Sequence, residues 1–561
     1  MKLSNKYDHY YNYEEITEIL KGYASNYPNQ IRLTSLGTSD EGREIWMAEM
    51  TDTATGDYDS KPGFYVAGHF HAKEMVGMMV SMYFLDVFLH NPEEPVIKDI
   101  MRHYTVAVIP EPTPDGLEFT HAGGFARSVN RVTPPRKNLP PGVYPKDLDG
   151  DGSVRFMRRK NPNGAWKKSP EDNRLMIPRE EYDVIGEFYD VCAEGMMNGN
   201  PEMGMFDMPD PYGNDFNRSF PYVWKSADVQ NGAGQYPMEN PEVQAIVNLL
   251  LAKKNICAFL MYHTATGCTF YPPASLSPEE APKPDMQRYI DMCNMIKDQI
   301  GFDYSNLNDM SVRDKRPGYG SFDDYAYLAR GIFAYAMELW DFATQADTPI
   351  IWKRPKNQSH AECNAREVQV LDWLQNASKE NLFQPWTTFE HPQFGEVEIG
   401  GLDTVQSMLN PPKDLMMKEI ERAYACQIRQ ILMLPRIEIA NAKAIHREDG
   451  LYEIHADVVN QGFFPTYGTV KAKMNRVVGP DMASLTGEGV EVIGSPSVKP
   501  IDYTEGRSAT KAVCDNGKYM TFGAGRNVQH LSWVVRNDNV AGVTIRVLSE
   551  RGGTAVAEIK M

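Results

Sequence analysis

The fifteen residues from 75 to 89, MVGMMVSMYFLDVFL, are apolar except where Ser81 and Asp86 interrupt. A run of that length is shorter than the roughly 20 residues a bilayer crossing needs, so it predicts a helix buried inside a protein core. It follows closely on the apolar run FYVAG and the polar stretch HFHAKE. Enclosing such a helix takes a large core, and the chain can supply one. It has 561 residues, 42% of them hydrophobic and 24% charged, a soluble globular composition long enough for two or three domains.

Up to about residue 375, strand-like and helix-like patterns alternate. Continuous apolar runs over 31–36, 44–50, 64–68, 104–110, 256–262 and 332–339 predict strands covered on both faces. Helices are predicted between them over 13–27, 75–89, 241–254, 285–300 and 365–378. That order predicts an α/β fold with helices on both faces of a sheet. The segment 113–240 is rich in Pro, Gly and Asn, and a loop that long in a compact domain usually carries function. Residues 376–434 read as a connector, with a Gly/Pro-rich stretch and then a helical run over 413–433. Beyond Pro435 the period becomes two. In LYEIHADVV, Tyr452, Ile454, Ala456 and Val458 share one face. GTVKAKM and AGVTIRVL show a similar alternation, so 435–561 is predicted to be an all-β sandwich after the α/β region over 1–375.

A net charge of −18 and a pI near 5.2 argue against nucleic acid or an anionic membrane as the main partner. The basic cluster from Arg155 to Lys168 reads as a site wall. The seven cysteines are scattered, odd in number and never spaced as CxxC, which disfavours a disulfide framework or a thiolate zinc site. The N-terminal MKLSNKYDHYYNYEE lacks an apolar core, so no signal peptide is expected and the location would be cytoplasmic unless a leader was removed. Oligomeric state is not legible.

In HFHAKE, His71 and Glu74 are three apart, so at the start of a helix both can point to one side. A zinc held by that pair needs one more protein ligand and keeps an open position. His263 is the candidate, because it ends the apolar strand ICAFLMY as His71 follows FYVAG, and sites in such sheets gather at the carboxyl ends of strands. His69 reads as a packed neighbour rather than a ligand. Glu338 lies in the apolar strand IFAYAMELW, where a buried carboxylate must be either paired or functional.

These motifs stand in a family's order. HAKE resembles the signature of the zinc carboxypeptidases (the M14 metallopeptidases), which often carry Arg where Lys73 stands. YNYEEITEIL and SLGTSDEGREIW resemble that family's first helix and hairpin. PTPDG, DFNRSF, YPMENPEVQAI, YHTATGCTFYPP and SFDDYAYLARGIFAYAMELWD resemble later segments, so the likeness covers about 10–375. It implies a mixed twisted sheet and one zinc on His71, Glu74 and His263. It also implies Glu338 as general base, Arg158 (or Arg159, one register away) facing the oxyanion, and Asn217 with Arg218 gripping the substrate's terminal carboxylate. The family's mobile tyrosine falls on Arg316 here, and Tyr319 is the nearest tyrosine. Its pocket-floor position falls on Asp323, which implies a preference for basic C-terminal residues. The other reading of Asp323 is a cap on the turn at 324–328.

The resemblance implies a carboxypeptidase acting on peptides. Two other readings stay open: a bacterial cell-wall peptidase cutting γ-D-glutamyl–diaminopimelate bonds in muropeptides, and a non-catalytic binding protein working through the sandwich. Separately, Asp147, Asp149, Asp151 and Gly152 in DLDGDGSV match the start of an EF-hand loop. Position twelve is Arg158, so a full EF-hand is excluded, and the loop is either a looser calcium site or an acidic turn.

Overall fold

An eight-stranded sheet organises the first two thirds of the chain in the computed structural model, which describes residues 1–124, 128, 141–199, 213–309, 318–349, 354, 358–448, 450–515, 517–537 and 542–560. In chain order the strands are β1 (Ile31–Thr38), β2 (Glu44–Met50), β3 (Gly63–Ala67), β4 (Thr105–Ile109), β5 (Ile256–Thr264), β6 (Cys268–Tyr271), β7 (Asp303–Asn306) and β8 (Phe333–Leu339). Across the sheet they run β1-β2-β4-β3-β5-β8-β6-β7. The central β4, β3, β5 and β8 are parallel, whereas β1–β2, β2–β4 and β8–β6 are antiparallel. The sheet is therefore mixed.

Both faces are covered, which is why the strands read as unbroken apolar runs. Phe64 and Val66 of β3 join one core, while Tyr65 and Ala67 join the other. Helices Tyr13–Asn26, Val76–His90, Lys283–Ile300 and Lys413–Ile431 contribute to the first core. Helix Pro241–Ala252 and the turns around Phe216 and Phe322 contribute to the second. The first helix opens with a capping box between Asn12 and Glu15.

Helix Val76–His90 is the enclosed helix expected, and its two polar interruptions are satisfied. Ser81 Oγ donates to the Gly77 carbonyl at 2.9 Å. The Asp86 carboxylate accepts from Ser4 N–H at 2.9 Å, Asn5 N–H at 3.1 Å and the Tyr7 hydroxyl at 3.1 Å. Gly77 lets the first turn lie against the sheet, since a Cβ there would fall 2.3 Å from that of Tyr262. That approach sets the position of the turn carrying His71 and Glu74.

Two expectations need correction. Residues 376–434 are not a connector. Strands Phe383–His391 and Gly395–Leu402 form the edge of a second, six-stranded sheet with Phe156–Lys160, Tyr189–Ala193, Trp166–Lys168 and Met176–Pro178. Helix Lys413–Ile431 buries Met416, Ile420, Ala423 and Ile431 in the main core. The long segment 113–240 thus contains short strands, one of which, Phe156–Lys160, pairs with a strand some 240 residues away. GTVKAKM is likewise not a strand. Val470–Met474 is one helical turn, capped by Thr469 Oγ1 accepting from Ala472 N–H at 3.1 Å and anchored by Asp285 accepting from Val470 N–H at 2.8 Å.

Most of the remaining C-terminal strands form the sandwich, while Lys511–Asp515 and Lys518–Phe522 pair as a separate two-stranded sheet. One sheet holds Ile437–His446, Leu451–Asn460, Val528–Asn537 and Val490–Ile493; the other holds Val498–Pro500, Met482–Thr486, Val543–Ser549 and Gly553–Ile559. Ile454, Ala456 and Val458 point between them, as the alternation requires, and meet Leu531, Trp533, Ile545 and Val547. The sandwich is docked on the main domain, with Phe464 stacked on Phe333 at 4.1 Å and Arg551 donating to the Gly331 carbonyl at 2.6 Å. Among the described residues no helix is long and apolar enough to cross a membrane.

Candidate metal centre

The chain leaves β3 at Ala67 and passes through one tight turn, closed by Glu74 N–H donating to the His71 carbonyl at 2.9 Å, into the enclosed helix. His263 arrives on β5, which pairs with β3. Nδ1 of His71 lies 2.8 Å from Glu74 Oε1, and Nδ1 of His263 lies 2.9 Å from Glu74 Oε2. The two Nδ1 atoms are 3.2 Å apart. All three side chains are buried.

Two imidazole nitrogens and a carboxylate are the donor set of a catalytic zinc with an open position. Bonds of about 2.0–2.1 Å in a tetrahedron put neighbouring ligand atoms about 3.3 Å apart. The separations here are close to that, so the residues fit the ion. Burial alone would push the Glu74 carboxyl up, but the two histidines hold it below the usual carboxylate range.

Supporting groups fix the cluster. Nε2 of His71 lies 3.3 Å from Asp215 Oδ1, an outer carboxylate of the kind that orients a ligating imidazole. Thr264 N–H donates to Glu74 Oε2 at 3.2 Å. Asn410 braces the turn from far along the chain, donating to the Lys73 carbonyl at 2.6 Å and accepting from Val76 N–H at 3.0 Å. His69 is buried with its Nδ1 2.9 Å from Glu111, a packed neighbour as expected. Sequence reasoning passed over Asp215 and Asn410. Asp215 had a signal, since it opens DFNRSF; Asn410 had none.

Glu338 is the register partner of His263 on the parallel strand β8, so both side chains leave the sheet on the same face. It is also the one residue of β8 that is not buried. On that face lie Phe216, Phe220 and Phe322 of the second core. The segments carrying them form one wall. Asn217 Oδ1 accepts from Phe322 N–H at 2.8 Å, and Phe220 N–H donates to the Gly320 carbonyl at 2.9 Å. The structure thus assembles Asn217, Arg218, Tyr319 and Asp323 on adjoining turns. The half-buried Arg218 donates to the Asn217 carbonyl at 2.8 Å, and the Tyr319 carbonyl accepts from Gln230.

Asp323 is 1% exposed, and its Oδ1 meets no donor among the described residues. Burial, with Asp324 beside it, pushes its carboxyl up to about 7. It does not cap the turn. Ser321 does, accepting from Asp324 N–H at 3.2 Å, while Asp324 accepts from Ala274 N–H at 2.7 Å and Ser275 N–H at 2.9 Å.

Arg158 is a correction. It is 3% exposed in the second sheet, ion-paired to Glu398 at 2.9 Å and stacked on Trp386 at 4.2 Å, so it is not assembled with the cluster. Strand alternation sends Arg159 the other way, to Asp190 at 2.9 Å. Arg316 lies outside the described residues. Asp147, Asp149 and Asp151 do converge, with one oxygen from each within 4.8 Å of the others.

The family described as zinc carboxypeptidase matches residues 16–358, and a domain of unknown function matches 436–560. Carboxypeptidase D of Mus musculus is 29% identical over 124 residues, covering 22% of this chain and 9% of that protein. A zinc carboxypeptidase of Saccharothrix mutabilis subsp. capreolus is 28% identical over 130 residues, covering 23% of this chain and 30% of its own length. The chain thus spans a tenth to a third of these two curated relatives. Thrombin activatable fibrinolysis inhibitor superposes with a TM-score of 0.43 at 13% identity, over 76% of this chain and 74% of that one. Carboxypeptidase A from Helicoverpa armigera does so with a TM-score of 0.39 at 17% identity, over 67% and 76%.

Proposed function

The chain belongs to the zinc carboxypeptidase family, and from that premise we propose that it is an exopeptidase releasing the C-terminal residue of peptides. The observation that carries this reading is the convergence of His71 Nδ1, His263 Nδ1 and the Glu74 carboxylate, with Glu338 in register beside His263. His71, Glu74 and His263 would hold the zinc, which would supply Lewis-acid chemistry at a scissile carbonyl or a water oxygen.

The rest falls to the protein. Glu338 takes the proton of the attacking water and returns it to the leaving amine. Asp215 holds the proton of His71 on Nε2, which keeps the Nδ1 lone pair free for the ion. Arg218 grips the terminal carboxylate through its planar guanidinium. Asn217 assists through its NH2 group, because its carbonyl is committed to Phe322. Tyr319 stands on the adjoining turn, where it can cover the bound residue. Asp323 receives a cationic side chain, which favours Lys or Arg as the residue released.

Asp323 would equally accept the distal ammonium of diaminopimelate, so the test must span both substrate classes. Peptides varied at the C-terminus, as free acids and as amides, are incubated with the zinc-loaded chain alongside muropeptides. Release from free acids, with Lys and Arg ahead of Phe and Leu, is expected. Cleavage confined to muropeptides would move the site to the cell-wall reading, and no release from either would overturn the proposal.

A further inference from the structure

Residues 147–152, DLDGDG, supply positions one to six of a calcium loop, with acidic ligands at one, three and five and glycine at six. What the loop lacks is the twelfth-position carboxylate, and Arg158, which stands there, is taken by Glu398. The fold brings a carboxylate from elsewhere. Glu194 lies in the turn between strands Tyr189–Ala193 and Gly195–Asn198, with 0% of its surface exposed. Its Oε1 accepts the N–H of Leu148, inside the loop, at 3.1 Å. Its Oε2 is buried and meets no donor among the described residues. Burial, with the charges of Asp149, Asp147 and Asp151 acting on it, pushes the Glu194 carboxyl up to about 8, so its ionised form calls for a cation.

We infer that this is a structural calcium site, held by Asp147, Asp149, Asp151 and the Ser153 carbonyl at position seven, with Glu194 supplying in space the carboxylate missing in sequence. An all-oxygen, carboxylate-rich set selects a hard cation over zinc. A set drawn from a loop and from the junction of two strands suits the six to eight ligands of calcium better than the strict octahedron of magnesium. Arg155 Nε donates to Asp151 Oδ2 at 2.7 Å, which offsets part of the negative charge, while Asp151 Oδ1 accepts from Ser153 N–H at 2.8 Å and keeps its second lone pair for the ion.

The ion would join the loop to the strand junction at Glu194. Ser153 Oγ also donates to Asp403 at 2.6 Å, and Ser153, Ala193 and Asp403 line one cavity with Lys73, the residue just before Glu74. Calcium would therefore brace a wall next to the turn that carries two zinc ligands.

The test uses the full, zinc-loaded chain, titrated calorimetrically with calcium chloride or magnesium chloride at fixed ionic strength and followed by thermal unfolding. The wild type is expected to bind one calcium per chain and to unfold several degrees higher in about 5 mM calcium, with magnesium far less effective. Glu194→Gln keeps the shape of the side chain and should weaken calcium at least tenfold, since even outer partners of a metal are worth about 10–100-fold. Asp149→Asn, at an exposed position that does not threaten folding, should do the same. No calcium isotherm in the wild type, or wild-type affinity in either variant, overturns the proposal.

Discussion

The side-chain carbonyl of Asn217 accepts the backbone N–H of Phe322 at 2.8 Å, which ties the segment carrying Arg218 to the turn that buries Asp323. A second bond, from Phe220 to Gly320, doubles the tie. Gly320 has φ +64°, and a Cβ there would fall 2.6 Å from the Arg218 carbonyl, so only glycine lets the two turns approach so closely. In the proposed mechanism, recognition of a chain end and recognition of a side chain would therefore rest on one wall.

Loss of that tie should be visible in both functions. Asn217→Ala leaves the Phe322 N–H unmet, a cost of about 1–3 kcal/mol. It should raise KM for free acids and also blunt side-chain selectivity. Arg218→Ala should instead weaken free acids by about 10 to 150-fold while sparing the matching amides. Paired kcat/KM values on acids and amides check both. Equal losses on acid and amide in Arg218→Ala would make that residue structural.

Glu338→Gln preserves shape and removes the proposed base. Turnover should fall at least 10²- to 10⁴-fold, the usual worth of a general base, while zinc content stays at the wild-type level. Single-turnover rates with metal analysis on the same sample decide it. Near-normal turnover would place the base elsewhere.

Asp215→Asn removes the charge behind His71 without changing its volume. Zinc affinity should drop about 10–100-fold, read by competition with a chelator, with unfolding temperature in zinc-free buffer little changed. An unaltered affinity would reduce the contact to packing.

The Asp323 carboxyl, held near 7 in the fold against about 3.9 when unfolded, keeps its proton longer in the folded state. Between those values the folded chain binds more protons, so this group lowers stability as pH rises from about 4 to 7, and its full cost stands above 7. Asp323→Asn should then be the more stable protein at pH 8, by on the order of 1–4 kcal/mol, and no more stable near pH 4. Denaturant unfolding at the two pH values tests this. In the wild type the preference for Lys over Phe should grow as pH passes 7, and the variant should lose it.

The main sheet was legible because its strands are buried on both faces, and Phe64–Ala67 or Phe333–Leu339 could be little else. The grouping of His71, Glu74 and His263 was legible because strand ends deliver them. The second sheet was not. Phe156–Lys160 pairs with Gly395–Leu402, and nothing in a strand that short announces a partner so distant. The alternation in GTVKAKM pointed to a strand, but local capping by Thr469 and a distant carboxylate, Asp285, fold it as a helical turn. Arg158 looked catalytic by its place in FMRRKN, yet Glu398, 240 residues on, claims it. Glu194 carried no signal, because its interest lies in burial and in a missing donor.

The most direct test of the central claim measures zinc per chain and release of a C-terminal residue together, in the wild type and in His263→Ala. The wild type should carry one zinc and release the terminal residue from peptide acids. His263→Ala, short one of three protein ligands, should lose most of the metal and all of the activity while still folding. Full zinc occupancy in His263→Ala, or release that continues without the metal, would contradict the account.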